Sequence, residues 1–152
     1  MLKEYTKETG TIKKPKSSQV INQDTALIIA SIIQRESGGK SDMKLISGII
    51  WNRIFSGMKL QIDSTLQYAK GNEEDGWWNQ VSPKDKKIKS PYNTYIETGL
   101  PPAPIANPGI AAIDAAYNPQ KTSCLFFLHD RNGNIHCATT YEQHKKNIAR
   151  YY

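Results

Sequence analysis

No apolar run in these 152 residues approaches the roughly 20 positions that a membrane-spanning helix requires. No apolar segment follows the first Met, so no secretory leader is expected and the chain should be soluble as it stands. Neither a glycine-rich phosphate loop nor a Gly-x-Ser-x-Gly elbow occurs, which removes the common nucleotide-binding and serine-hydrolase readings. Histidine is scarce, with three in all: His129, His136 and His144. A two-residue turn at Asn132-Gly133 would set His129 opposite His136. No Cys or carboxylate accompanies them at ligand spacing, so structural histidines are expected, with no metal and no cofactor. Cysteine is scarcer still. In the same register Cys137 lies opposite Leu128 and Cys124 opposite Tyr141, too far apart to bridge, so both are read as core thiols.

Acidic residues number 14 against 20 basic ones, for a net charge of +6. Much of the excess is local. Lys3, Lys7, Lys13, Lys14 and Lys16 lie in a stretch almost free of apolar residues, so 1–20 reads as a flexible basic arm and 21–152 as one domain. Lys84, Lys86, Lys87 and Lys89 read as a solvated loop. These lysines lack the interleaved aromatics of a nucleic-acid face, and no nucleic-acid partner is expected.

What is present is a helix that is apolar on every side. Thr25-Ala26-Leu27-Ile28-Ile29-Ala30-Ser31-Ile32-Ile33-Gln34-Arg35-Glu36 has no polar face through its middle turns, the pattern of a buried helix. Asp24 is the expected N-cap, and Gly38-Gly39 the expected left-handed stop. Glu36 lies three, four and seven positions after Ile33, Ile32 and Ile29, so its carboxyl continues the buried stripe. Desolvation and the negative end of the helix dipole both push its pKa upward. A carboxyl protonated near neutral pH is what general acid catalysis requires.

A second helix is expected over 43–56, capped by Ser41 or Asp42 and stopped by Gly57. Residues 58–66 partly alternate and read as a short strand or extended segment. Residues 70–91, with Trp77-Trp78, read as a long loop or lid. Asn107 should cap, and Pro108 open, a third helix that ends before Pro119. A hairpin follows, and Thr140-x-x-Gln143 is a capping box for a last helix to about Arg150. Helices and a small antiparallel sheet in separate blocks predict an α+β fold. Gln61, Asp63, Tyr68, Trp77, Trp78, Tyr92, Asn93 and Tyr95 crowd the middle of the chain. Such flat faces, amides and carboxylates suit sugar recognition, although turn formation and packing explain the same residues.

Several blocks resemble the YceG-like (MltG) family of endolytic murein transglycosylases. They are Ala30-Ser31-Ile32-Ile33-Gln34-Arg35-Glu36; Asn52-Arg53-Ile54 with Gly57-Met58-Lys59-Leu60-Gln61-Ile62-Asp63; Tyr92-Asn93-Thr94-Tyr95 with Gly99-Leu100-Pro101-Pro102; and Asn107-Pro108-Gly109. Ala115-Ala116 with Asn118-Pro119, and Thr140-Tyr141-Glu142-Gln143-His144, complete the succession in family order.

The resemblance implies that Glu36 is the one catalytic acid/base. It would cut the bond between N-acetylmuramic acid and N-acetylglucosamine inside peptidoglycan strands and leave 1,6-anhydro ends. It also implies Gln61, Asp63, Tyr92 and Asn93 as glycan-lining residues, peptidoglycan as partner with wall synthases as further candidates, and an extracytoplasmic setting. Three positions depart from the family pattern: Asp63-Ser64-Thr65 where Asp-Pro-Thr is frequent, Cys137 where an aromatic is common, and Lys145 where Asn often follows His144. The family's membrane anchor and LysM-like domain have no counterpart in these residues. A hydrolytic muramidase and a non-catalytic wall-binding module are the alternative readings.

Overall fold

The computed structural model describes residues 21–152, so the basic arm read over 1–20 lies outside the described residues. The first helix, α1, spans Gln23–Glu36 and is the axis of the core. Its cap is Asn22, whose side chain accepts from the Thr25 amide at 3.0 Å; Asp24, expected as the cap, lies inside the first turn. Ala26, Ile29, Ala30, Ile32 and Ile33 are each fully buried. Every buried isoleucine of this kind contributes about 1.5–3 kcal/mol relative to an exposed one. One hydroxyl interrupts the apolar surface without being stranded. Ser31 Oγ donates to Ile28 O at 2.7 Å and accepts from Ile105 N at 3.0 Å, tying the proline-rich segment to the helix.

Helix α2, Met43–Phe55, packs beside α1 and ends as expected at Gly57, where φ is +67°. Met58 N reaches back to Arg53 O at 2.9 Å and Gly57 N to Ile54 O at 3.2 Å, which completes a left-handed helix stop. No strand follows. Residues 58–62 carry no regular structure, and the chain then turns into helix α3, Asp63–Lys70. The alternation of Leu60 and Ile62 serves a different purpose from strand pairing. Both side chains are buried, and the backbone bonds to Thr94: Gln61 N donates to its carbonyl at 3.1 Å and Ile62 N to its hydroxyl at 2.9 Å.

A long loop follows, broken by a 3-10 turn at Asp85–Lys87 that the Lys70–Asp85 ion pair holds at 2.7 Å. Helix α4, Ile110–Tyr117, has its N-cap at Gly109, two residues beyond the expected Asn107 cap. Its fully buried Ala112, Ala115 and Ala116 leave room for close approach to α1.

Strands β1, Phe126–His129, and β2, Ile135–Ala138, form an antiparallel hairpin, and α5, Tyr141–Tyr151, closes the chain against it. Thr140 caps α5 by accepting from Gln143 N at 3.2 Å. The hairpin register differs from the expected one by a single residue. Asp130 N donates to Asn134 O and Gly133 N to Asp130 O, so the loop has three residues, with Gly133 at φ +83°. Phe127 therefore pairs with Cys137, and Leu128 with His136. His129 and His136 consequently face opposite sides of the sheet.

The cysteine reading is corrected by the same geometry. Leu125 N donates to Ala138 O although Phe126 is the partner of Ala138, a bulge that draws Cys124 back along the hairpin. Cys124 and Cys137 then lie 5.9 Å apart at Cα and form a disulfide. Among the described residues the architecture is five α-helices and one two-stranded antiparallel sheet, an α+β domain.

Candidate active site

Where α1 runs out, the backbone leaves the helix on an extended Ser37, at φ −73° and ψ 142°, instead of on a left-handed glycine. The last side chain of the helix, Glu36, is thereby left at the wall of a groove of about 590 Å³. Its carboxyl turns toward the start of α3, and Ser64 N donates to Oε1 at 3.3 Å. Burial pushes its pKa above the ordinary glutamate value, and the nearby charge of Asp63 adds to this. The Ser64 hydroxyl and amide, and then His129, pull in the other direction without overcoming burial. By hydrogen-bond geometry the Ser64 hydroxyl is buried and unpartnered, so its influence on the carboxyl is electrostatic. Ser64 stands where the family pattern often has proline, and its N–H is a donor that proline lacks.

Gln61 and Asp63 line the same groove, on the turn into α3. Gln61 holds a left-handed φ of +51°, which swings the chain from the irregular segment toward the helix. Asp63 Oδ1 accepts a hydrogen bond from the Tyr95 hydroxyl. Burial, the bond to Asp63 and its charge push that hydroxyl far above the usual tyrosine range, so Tyr95 stays a donor. Lys86 lies over the Tyr95 ring at 4.8 Å.

Two of the residues implied by resemblance stand elsewhere. Asn93 is 0% exposed, and its amide donates to Lys86 O at 3.2 Å and Ile88 O at 2.7 Å while its Oδ1 accepts from Tyr95 N at 3.0 Å. It shapes the 86–95 loop from inside and leaves Tyr95 on the groove. Tyr92 is half-buried and packs on Tyr68, ring centroids 4.9 Å apart. Tyr68 also neighbours Trp77 and Trp78, and Arg35 lies 3.8 Å above the Trp78 ring. Of the eight central aromatics, amides and carboxylates, Gln61, Asp63 and Tyr95 reach the groove.

More of the groove lining comes from the hairpin and the last helix, whose histidines the sequence marked as structural. Phe127 and His129 project from β1, and Tyr141, His144 and Ile148 from α5. Arg53 forms part of the floor, 8% exposed, with Nε on Leu125 O at 2.6 Å and Nη1 on Lys59 O at 2.9 Å and Leu60 O at 3.1 Å. Burial lowers its pKa from the ordinary arginine value, and no carboxylate among the described residues pairs with it. Its three carbonyl contacts clamp the end of α2, the 59–60 segment and the start of the hairpin together. The signal for it in the sequence was its place within Asn52-Arg53-Ile54, which carried no chemistry by itself.

The sequence model of the YceG-like family matches residues 1–150. The chain belongs to that family. Relatives of this YceG-like chain include the "Endolytic murein transglycosylase" of Bacillus subtilis (strain 168), 37% identical over 151 residues. That match takes in 99% of this chain and 41% of the relative. The protein of the same name from Streptococcus pneumoniae serotype 2 is 33% identical over 137 residues, 88% of this chain and 25% of its own length. This YceG-like chain therefore spans well under half of either relative. Its fold matches the 2.6 Å crystal structure of a YceG-like protein from Listeria monocytogenes with a TM-score of 0.79 at 33% identity, over 95% of this chain and 44% of that one.

Proposed function

We propose that residues 21–152 form the catalytic domain of an endolytic lytic transglycosylase that cuts peptidoglycan strands, with Glu36 as general acid. The observation that carries this is the half-buried Glu36 carboxyl, whose burial favours the protonated form, at the wall of a groove of about 590 Å³. The relatives' names point the same way. Glu36 donates its proton to the glycosidic oxygen between N-acetylmuramic acid and N-acetylglucosamine as the bond to the muramyl C1 breaks. The C6 hydroxyl oxygen of the same muramyl residue then closes on C1, giving a 1,6-anhydro end, and its proton returns to the Glu36 carboxylate, now acting as base. A tethered nucleophile needs no second carboxyl to activate water, unlike the usual glycosidase pair. Asp63, engaged by the Tyr95 hydroxyl, is an orienting group for sugar or turn. The Cys124–Cys137 disulfide supports action in an oxidising, extracytoplasmic setting.

The test is product analysis by mass spectrometry after digestion of uncross-linked glycan with the wild-type chain and with Glu36→Gln. Internal cuts ending in anhydromuramic acid, lost in the variant while glycan still binds, are expected. Reducing ends from the wild type would overturn the transglycosylase reading in favour of a hydrolase.

A further inference from the structure

The lysine-rich loop that reads as solvated sends one of its cations to the groove. Of Lys84, Lys86, Lys87 and Lys89, Lys86 alone lines it. The backbone beneath is held from both sides. Lys70 Nζ lies 2.7 Å from Asp85 Oδ2, which also accepts from Ser82 N at 2.8 Å, and Ile88 N closes the 3-10 turn on Asp85 O at 3.0 Å. From inside, the Asn93 amide donates to Lys86 O at 3.2 Å and to Ile88 O at 2.7 Å. A turn anchored in this way presents Lys86 at a set place on the groove. Its ammonium lies 4.8 Å from the centre of the Tyr95 ring, within cation–π range. Among the described residues no carboxylate pairs with that ammonium and no hydrogen bond engages it. Asp63 instead takes the Tyr95 hydroxyl, and Lys70 is committed to Asp85. An exposed, positioned and unpaired cation therefore stands on the groove that holds Glu36.

We propose that Lys86 is a specificity-determining residue that binds a carboxylate carried on the lactyl arm of a muramyl residue. This rests on the transglycosylase reading above. N-acetylglucosamine is neutral, so the anionic groups of a glycan strand belong to the muramyl lactyl arms. On a denuded strand the lactyl carboxyl is free. On a substituted strand it is an amide, and the stem peptide attached to it brings carboxylates of its own. An ammonium has three donors and no acceptor, and its bonds to a carboxylate are stronger than those to the neutral hydroxyl and acetamido groups of the sugars. Its flexible stem lets one point charge follow an arm that moves, which a planar guanidinium fork does less readily. The contact lies on the arm and not at C1, so it is made alike in the ground and transition states and acts on KM.

The experiment measures kcat and KM for the full chain, Lys86→Met, Lys86→Arg and Lys87→Met. Lys87→Met makes the same change in net charge away from the groove. The substrates are denuded glycan, uncross-linked glycan with its stem peptides, and denuded glycan whose lactyl carboxyls are converted to methylamides. Lys86→Met should raise KM about fivefold on at least one carboxylate-bearing strand, the size of one exposed ion pair, with kcat little changed. Lys86→Arg, which keeps the charge, should recover most of that affinity, and added salt should narrow the gap between wild type and Lys86→Met. An effect on the denuded strand that amidation removes assigns the lactyl carboxylate. An effect confined to the peptide-bearing strand assigns the stem peptide. The same rise in KM on the amidated strand, an equal rise in Lys87→Met, or no effect on any strand would overturn the role of Lys86. Anhydro ends in the same digests would then still uphold the transglycosylase, whereas a wild type that cuts none of the strands removes both.

Discussion

Replacing Arg53 with Met tests whether the groove floor is held by one guanidinium. The substitution keeps length and most volume but withdraws the donors from Leu125 O, Lys59 O and Leu60 O. A buried carbonyl left without a partner costs about 1–3 kcal/mol, with the part-buried Leu125 O and Lys59 O at the low end and the buried Leu60 O higher. Against this, removing a buried guanidinium relieves a desolvation penalty of several kcal/mol, which no carboxylate among the described residues offsets. With three acceptors abandoned, the carbonyl side should prevail by about 3 kcal/mol. For a urea slope of about 2 kcal/mol/M, the unfolding midpoint falls by about 1.5 M with the slope unchanged. Urea titration followed by circular dichroism measures this directly. Activity should fall further than the unfolded fraction explains, because the 59–60 segment leads straight into Gln61 and Asp63. A variant as stable as the wild type, or more so, would show that desolvation dominates and that the clamp is not what keeps the floor together.

Two further outcomes follow from the carboxyl of Glu36. Because burial raises its folded-state pKa, the native state favours the proton. The stability this contributes is full below the ordinary value of 4.5 and is lost as pH rises through the folded value. Glu36→Gln cannot ionise, so its melting temperature should gain on the wild type between pH 4 and pH 7; a constant gap across that range would refute the assignment. Ser64→Pro is tolerated sterically in the first turn of α3 but removes the N–H on Oε1. Withdrawing that donor raises the Glu36 pKa further, so the basic limb of the pH–activity profile should move to higher pH; a shift to lower pH, or none, would show that Ser64 does not tune the acid.

Features written into short stretches of chain were legible before any coordinates. The all-round apolar run of α1, the left-handed stop at Gly57, the Thr140 cap and the position of Glu36 on the buried stripe each depend on neighbours within about one or two helical turns. The strand reading of 58–66 rested on Leu60 and Ile62 alternating as strand residues do, yet the backbone of Gln61 and Ile62 bonds to Thr94, 32 positions away from Ile62. One residue of hairpin loop decided more than any motif. It set His129 and His136 on opposite faces and, with the bulge at Leu125, brought Cys124 to Cys137. Asn93, read as a sugar contact, is committed to carbonyls beneath Tyr95.

The amino-acid sequence alone thus determined that a helix would be submerged and that a glutamate would lie where it ends, because solvent exclusion follows from local periodicity. Tertiary structure alone decided what surrounds that glutamate. The Asp42–His129 pair spans 87 positions and the Arg53–Leu125 contact 72, and nothing in local residue order encodes a meeting over such distances. Those meetings arise only when burial of α1 brings its neighbours together from both sides, and that packing creates the groove.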